Sequence, residues 1–221
     1  MQDFEVINTA QSQVGYHEKV TSTPVYALYP FQNAYDGHDN WTKFHNDLQI
    51  TQGSPWCGFF CYWVFFQLLS RSKVQTTAFL HNIIGLGGGV DAWENAFNSV
   101  NKFFLNGMYT PKPGDVVIFS DDDYTWTHCE IVVDVSGYPY LIDTIGGNTR
   151  NPGDPGSQSE GMWVARRQRG ATPGSTGFRI RGYCCVDYDN TPSPGYIDYS
   201  VLGWQALRPG KRRRKFVKPD F

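Results

Sequence analysis

The chain has 221 residues, a formal net charge of −2 and only 18% charged side chains. Its length suits one well-buried domain and is short for two. The near-neutral charge excludes a general electrostatic attraction to nucleic acid or to anionic membranes, so no nucleic-acid partner is expected.

Apolar residues at helical spacing dominate the N-terminal half of the chain. Residues 1–5 provide neither the basic nor the apolar segment of a secretory signal peptide, and none is expected. The apolar run over residues 59–69 is far shorter than the roughly 20 residues of a membrane span, so it predicts a buried helix. The predicted helices cover residues 4–14, 57–69, 75–84 and 90–106, with an irregular segment over 16–54.

The second half of the chain has the patterns of β-strands. Helices followed by strands indicate an α+β fold, with N-terminal helices packed on a central antiparallel sheet of about five strands. Residues 1–190 are predicted to form one domain and residues 191–221 a C-terminal extension with a basic run. Such a run is typical of a solvated terminus, and the alternative is adhesion to an anionic polymer. The predicted strands cover residues 115–119, 128–135, 140–145, 163–169 and 178–186.

Cys57 follows Pro55 and Trp56 at the start of a predicted helix. Proline suits the first turn of a helix, where its missing N–H costs nothing. A sulfur at that position lies beside free backbone N–H groups and the positive end of the helix dipole, which favour the nucleophilic thiolate. Without this context, Cys57 would be interpreted as a small buried apolar residue.

A nucleophilic cysteine needs a base, and His128 stands at the start of a predicted strand. A cysteine at a helix start followed by a strand histidine is the arrangement of papain-like hydrolases. The alternative is a histidine at a strand edge without a catalytic role. Cys129 alternates with His128 and is predicted to face the core, as is Cys61, one helical turn after Cys57.

The five cysteines include no CxxC pair and no zinc-type spacing, which favours synthesis in a reducing compartment. The acidic segments at residues 36–40 and 121–123 lack the alternating ligands of a calcium loop. No metal and no cofactor are therefore expected.

Four motifs between residues 53 and 149 resemble, in sequence order, those of the CHAP family (cysteine, histidine-dependent amidohydrolase/peptidase), which belongs to the papain-like, NlpC-type superfamily. With the upstream patterns Gly15-Tyr16-x-Glu18-Lys19 and Asn40-x-Thr42-Lys43-Phe44, the resemblance covers roughly residues 5–170. Several motifs in sequence order are a stronger signal than any one of them. They are Gly53-x-Pro55-Trp56-Cys57-x-x-Phe60-x-x-Trp63, Pro111-x-Pro113-Gly114-Asp115-Val116-Val117-x-Phe119, His128-x-x-Ile131-Val132 and Gly147-Asn148-Thr149.

The resemblance implies a papain-like fold and cleavage of an amide bond in bacterial peptidoglycan, by an N-acetylmuramoyl-L-alanine amidase or an endopeptidase. It carries over Cys57 as nucleophile and His128 as general base. Trp56 itself is interpreted as a packing residue, with the floor of the substrate cleft as the alternative. Many members are phage endolysins or virion-associated lysins. The expected location is therefore the host cytoplasm before lysis or the phage virion, where other tail proteins would be partners.

Three residues are candidates for the group that orients His128. The family often places a Glu two residues before the Asn of its last motif, where this chain has Gly146. Asn148 has the strand parity of that missing Glu and is the preferred candidate. Asp143 has a charge but the opposite parity, and Glu130 shares the strand face of His128.

Two other classes of function stay open at this point. A virion or tail structural protein that keeps the fold but has lost activity would account for Gly146. A cysteine peptidase or transglutaminase-like enzyme acting on protein would use the same Cys-His pair.

Overall fold

The computed structural model describes residues 1–121, 126–150, 161–172 and 179–190. The predicted extension over residues 191–221 lies outside this part of the chain, and the domain boundary stays a prediction. The helices are α1 (Asp3–Gln11), α2 (Lys43–Asp47), α3 (Cys57–Leu68), α4 (Lys73–Phe79) and α5 (Val90–Asn98). The strands are β1 (Phe103–Leu105), β2 (Val116–Ser120), β3 (Trp126–Asp134), β4 (Leu141–Thr149), β5 (Trp163–Gly170) and β6 (Arg179–Cys184).

The six strands form one antiparallel sheet in the order β1-β6-β2-β3-β4-β5. Strand β3 lies inside the sheet, where Phe119 of β2 pairs with His128 and Ile145 of β4 pairs with Ile131. Helices precede the sheet in sequence and pack on it, so the α+β class is confirmed.

Helix α3 is the centre of the core and is buried on nearly all sides. The sheet approaches it closely at Gly147 of β4, where an added Cβ would lie 2.5 Å from Trp56 and 2.6 Å from Phe60. Cys129 and Ile131 of β3 belong to the same apolar cluster as α3. A helix enclosed in this way can hold its first residue in a fixed position against the sheet.

The predicted helix over residues 90–106 is too long. Helix α5 ends at Asn98, and Asn101 has a positive φ of 56°. Residues 103–105 form β1 instead, where Phe103 pairs with Cys184 of β6. The spacing of Val100 and Phe104 imitates a helix, but pairing with a distant strand overrides that local pattern. This strand brings the sheet to six strands rather than five.

Within the described residues, no helix is long and apolar enough to cross a membrane.

Candidate active site

Cys57 is the first residue of α3, as the sequence predicts. Trp56 is the N-cap and provides no side-chain hydrogen bond to the helix. The first backbone N–H groups of a helix have no intrahelical carbonyl to bind, so they concentrate positive potential around Cys57. Its side chain is buried, with 4% of the residue exposed.

Gly58 allows another segment to lie against this first helical turn. An added Cβ at Gly58 would lie 1.9 Å from the backbone oxygen of Gly87. Residues 84–87 are a short 3-10 segment, and Gly87 O accepts a hydrogen bond from Trp93 Nε1 at 2.9 Å. The glycine-rich segment is therefore packed against the first turn of α3, next to Cys57 in sequence.

His128 lies on β3 and contacts Cys57 through a side-chain hydrogen bond. Its Nε2 lies 3.0 Å from Glu130 Oε1. When Nε2 carries the proton and donates a hydrogen bond to this carboxylate, Nδ1 is left to exchange a proton with the thiol. Cys57, His128 and Glu130 thus form a continuous chain of hydrogen bonds.

Glu130 is fully buried and is held by three other side-chain donors in addition to its contact with His128. Thr144 Oγ1 donates to Oε2 at 2.5 Å, and Arg169 Nε donates to the same oxygen at 2.9 Å. Arg169 Nη2 also donates to Oε1, which makes the ion pair bidentate. Arg169 is itself placed over the ring of Phe119, 5.1 Å from its centroid. A carboxylate with this many donors has a fixed position and a stable charge.

Gly146 leaves the space that Glu130 occupies. It lies opposite Glu130 in the β3–β4 ladder, next to the pair of Ile131 and Ile145. An added Cβ at Gly146 would lie 2.5 Å from Glu130 Cγ and 2.6 Å from its Oε1. The glycine and the carboxylate are therefore a matched pair across two neighbouring strands.

The charges at the site follow from these contacts. Burial acts to raise the pKa of Glu130, but hydrogen bonds from His128 and Arg169 hold that pKa well below its usual range. Burial acts to lower the pKa of His128, but Cys57 and Glu130 together raise it to about 9. The hydrogen bond with Cys129 and burial raise the pKa of the Cys57 thiol, and His128 opposes that rise. Cys57 and His128 therefore lose their protons as a coupled pair.

Residues 49–148 match the family model described as the CHAP domain. This chain contains a CHAP domain. The family is papain-like and consists of cysteine- and histidine-dependent amidohydrolases and peptidases. The matched range includes Cys57, His128 and Glu130, and it ends before Arg169. A search of the curated proteins and a search of the solved structures each return no match.

The structure brings Glu130, rather than Asn148 or Asp143, into hydrogen-bond contact with His128 of the CHAP domain. Asn148 lies near the end of β4 with a positive φ of 52°, and no hydrogen bond joins it to His128 within the described residues. Asp143 accepts a hydrogen bond from Arg166 Nη2 at 2.8 Å and is partly exposed. The catalytic roles themselves stay predictions.

Trp56 is a packing residue, and the alternative prediction that it floors a substrate cleft is wrong. Its residue is 0% exposed, and its ring stacks on Phe44 with centroids 5.3 Å apart. Its Nε1 donates to Glu18 Oε2 at 2.7 Å. The indole therefore anchors the start of α3 in the core, where it is out of reach of a substrate.

Local sequence patterns do not reveal that Thr144 and Arg169 belong to the site. Arg169 is one of several basic residues in β5, and alternation alone does not tell which of them meets a buried carboxylate. The useful signal is Gly146, because a glycine inside a strand often marks the close approach of another group.

Proposed function

We propose that this CHAP domain hydrolyses an amide bond of bacterial peptidoglycan, with Cys57 as nucleophile and His128 as general base. One observation carries the proposal: the cysteine at the start of α3 is in contact with a histidine that a buried carboxylate supports. The peptidoglycan substrate is what membership of the CHAP family implies.

The reaction follows the general course of cysteine hydrolases. Cys57 Sγ attacks the amide carbonyl carbon while its proton passes to His128. Backbone N–H groups at the start of α3 stabilise the oxyanion that forms. His128 then gives the proton to the departing amine, which leaves a thioester on Cys57. Water attacks the thioester with His128 as base, and the carboxylic acid product and the thiol are released.

Glu130 supplies the orienting group in this scheme. A buried carboxylate that accepts from Nε2 fixes the ring and stabilises the imidazolium that forms during each proton transfer. Arg169 and Thr144 act through Glu130, because they hold its two oxygens and do not reach the thiol in the described contacts. Gly146 is thus compatible with an active enzyme.

The protonation of the pair sets the pH dependence. Below its first pKa, the pair carries both the thiol proton and the imidazolium proton, and no base is free. Loss of one proton creates the reactive form, so activity rises with pH. Since Glu130 raises the pKa of His128, the rise should occur at higher pH than it would for a His128 without this carboxylate.

The biological setting that the family resemblance favours is lysis by a bacteriophage. The enzyme would act either from the host cytoplasm at the end of infection or as part of the virion at its start. The two bond types, that of an amidase and that of an endopeptidase, share the same catalytic residues, so the cleft decides between them.

Purified peptidoglycan from several wall chemotypes tests this proposal. The wild type, Cys57→Ala and the control Cys185→Ala are incubated with it, and soluble fragments are identified by mass spectrometry. Cys185 is a suitable control because its sulfur accepts from Tyr109 Oη at 3.3 Å, outside the catalytic contacts. We expect fragments from the wild type and Cys185→Ala but not from Cys57→Ala.

The new termini identify the bond. A stem peptide released with a free N-terminal alanine indicates an amidase, and other new termini indicate an endopeptidase. If no protein releases fragments from any wall, the inactive virion protein replaces the hydrolase. If casein is cleaved and peptidoglycan is not, the enzyme is a peptidase that acts on protein.

A further inference from the structure

Three thiols meet where α3 packs on β3. Cys129 follows His128 on β3, and its Sγ lies 3.9 Å from Cys61 Sγ on α3. Cys61 Sγ also lies 3.8 Å from the backbone oxygen of Cys129. Cys57, one helical turn before Cys61, hydrogen-bonds the Cys129 side chain. All three cysteines are free and buried.

The proposed hydrolysis uses only one of these sulfurs. Cys57 is 4% exposed and contacts His128, whereas Cys61 and Cys129 are 0% exposed. An oxidant that enters from solvent therefore meets Cys57 first. Cys129 is in position to act on the product of that encounter.

We propose that Cys129 is a resolving thiol that protects Cys57 from irreversible oxidation. Peroxide oxidises the Cys57 thiolate to a sulfenic acid and is itself reduced to water. The Cys129 thiol then attacks the Cys57 sulfur, an S–S bond forms, and the sulfenic oxygen leaves as a second water. Overall the two thiols lose two electrons and two protons, and one peroxide becomes two waters.

Helix geometry selects Cys129 over Cys61 as the partner. Residues four apart on a helix have Cβ atoms about 5–6 Å apart. A disulfide requires Cβ atoms about 3.5–4.5 Å apart, so Cys57 and Cys61 cannot be joined without unwinding α3. Cys129 approaches from the sheet, where it contacts Cys57 across the helix–sheet interface. The bond would pin α3 to β3 and remove the nucleophile until a reductant restores it.

Peroxide treatment followed by non-reducing peptide mapping tests this inference in the full chain. In the wild type we expect a mass loss of two hydrogens, a peptide pair joining Cys57 to Cys129, and full reversal by dithiothreitol. In Cys129→Ala we expect Cys57 to gain two or three oxygens, which dithiothreitol does not remove. Wall-hydrolysing activity, measured against each variant's own untreated sample, should return after reduction in the wild type only.

Two variants serve as controls. Cys61→Ala removes a neighbouring buried sulfur and Cys185→Ala a sulfur outside the cluster, and both should keep the reversible response of the wild type. A wild-type Cys57 that is overoxidised as fast as in Cys129→Ala overturns the inference, as does a disulfide joining Cys61 to Cys129 with Cys57 still reduced. The mapping requires no substrate, so its result is independent of the proposed activity on peptidoglycan.

Discussion

The two faces of strand β3 lie in different environments, one polar and one apolar. Glu130 lies on one face with its carboxylate bound to His128, Thr144 and Arg169. Cys129 lies on the other face, inside the apolar cluster that contains α3. The first environment keeps a charge in place, and the second keeps a thiol neutral by raising its pKa. Cys57 contacts one side chain from each face, His128 from the polar face and Cys129 from the apolar face.

This difference shows that the charge of a buried side chain at the site depends on its hydrogen-bond partners rather than on burial alone. Glu130 and Cys129 are equally buried, at 0% exposure. Both carboxylate oxygens of Glu130 accept hydrogen bonds from the charged side chain of Arg169, whereas Cys129 lies among apolar residues. A buried carboxylate costs much less when it is paired and hydrogen-bonded. We therefore expect large losses of activity or stability when a contact on the polar face is removed.

Replacing His128 should have the largest effect. His128→Ala removes the proposed general base and acid, and kcat should fall by about 10³-fold, as is usual for general acid–base catalysis. Steady-state release of wall fragments measures this loss, with circular dichroism to verify the fold. Activity within a few-fold of the wild type would refute the assigned role.

Replacing Arg169 should have the next largest effect, on stability. Arg169→Met leaves the Glu130 charge buried without its main partner, which should lower the free energy of unfolding by about 3 kcal/mol at neutral pH. The matched control is Arg166→Met, because the Arg166–Asp143 pair is partly exposed and should contribute less than about 1 kcal/mol. Urea unfolding of both variants compares the two pairs.

The difference in unfolding free energy between Arg169→Met and Arg166→Met should become smaller at acid pH. The pKa of Glu130 is depressed in the folded protein, so its stabilising charge is present above the unfolded pKa and is lost as pH falls. Equal losses for Arg169→Met and Arg166→Met at neutral pH would contradict the distinction between a buried and an exposed pair.

Replacing Glu130 tests whether its negative charge matters in addition to its orientation of the His128 ring. Glu130→Gln keeps the shape but removes the carboxylate that stabilises the imidazolium, so kcat should fall by about 10²-fold. The pKa of His128 should also fall, and the acid limb of the kcat/KM profile should move to lower pH. Asn148→Ala is the control and should leave that limb in place. A shift with Asn148→Ala and none with Glu130→Gln would assign the orienting role to the amide.

A carboxylate at position 146 of β4 should replace that of Glu130 on β3 in part. We expect this change in kcat to be the smallest of the predicted changes. Glu130→Ala opens the space beside Gly146, and Gly146→Glu in that background returns a carboxylate from β4. Since Gly146 does not have a positive φ, the backbone accepts a side chain there. We expect the double variant to recover about tenfold in kcat over Glu130→Ala alone. Gly146→Glu without the second change should be less active, because the two side chains would collide.

The sequence predicts the central pair well and its support less well. A cysteine at a helix start and a histidine on a strand follow from local patterns, and the structure places Cys57 and His128 in contact. Strand parity identified Glu130 as sharing the face of His128, but parity does not reveal that Gly146 leaves room for that carboxylate. The burial of Trp56 depends on Glu18 and Phe44, which are distant in sequence. Such long-range contacts are not encoded in periodicity.

Alkylation of Cys57 by iodoacetamide tests the coupling of Cys57 and His128 most directly. The rate is measured against pH by peptide mass spectrometry in the wild type and in His128→Asn, with Cys185 as an internal reference. Because the imidazolium favours the thiolate, His128→Asn should react more slowly at neutral pH, with its profile moved to higher pH. Identical Cys57 profiles in the two proteins would show that the histidine does not control the nucleophile.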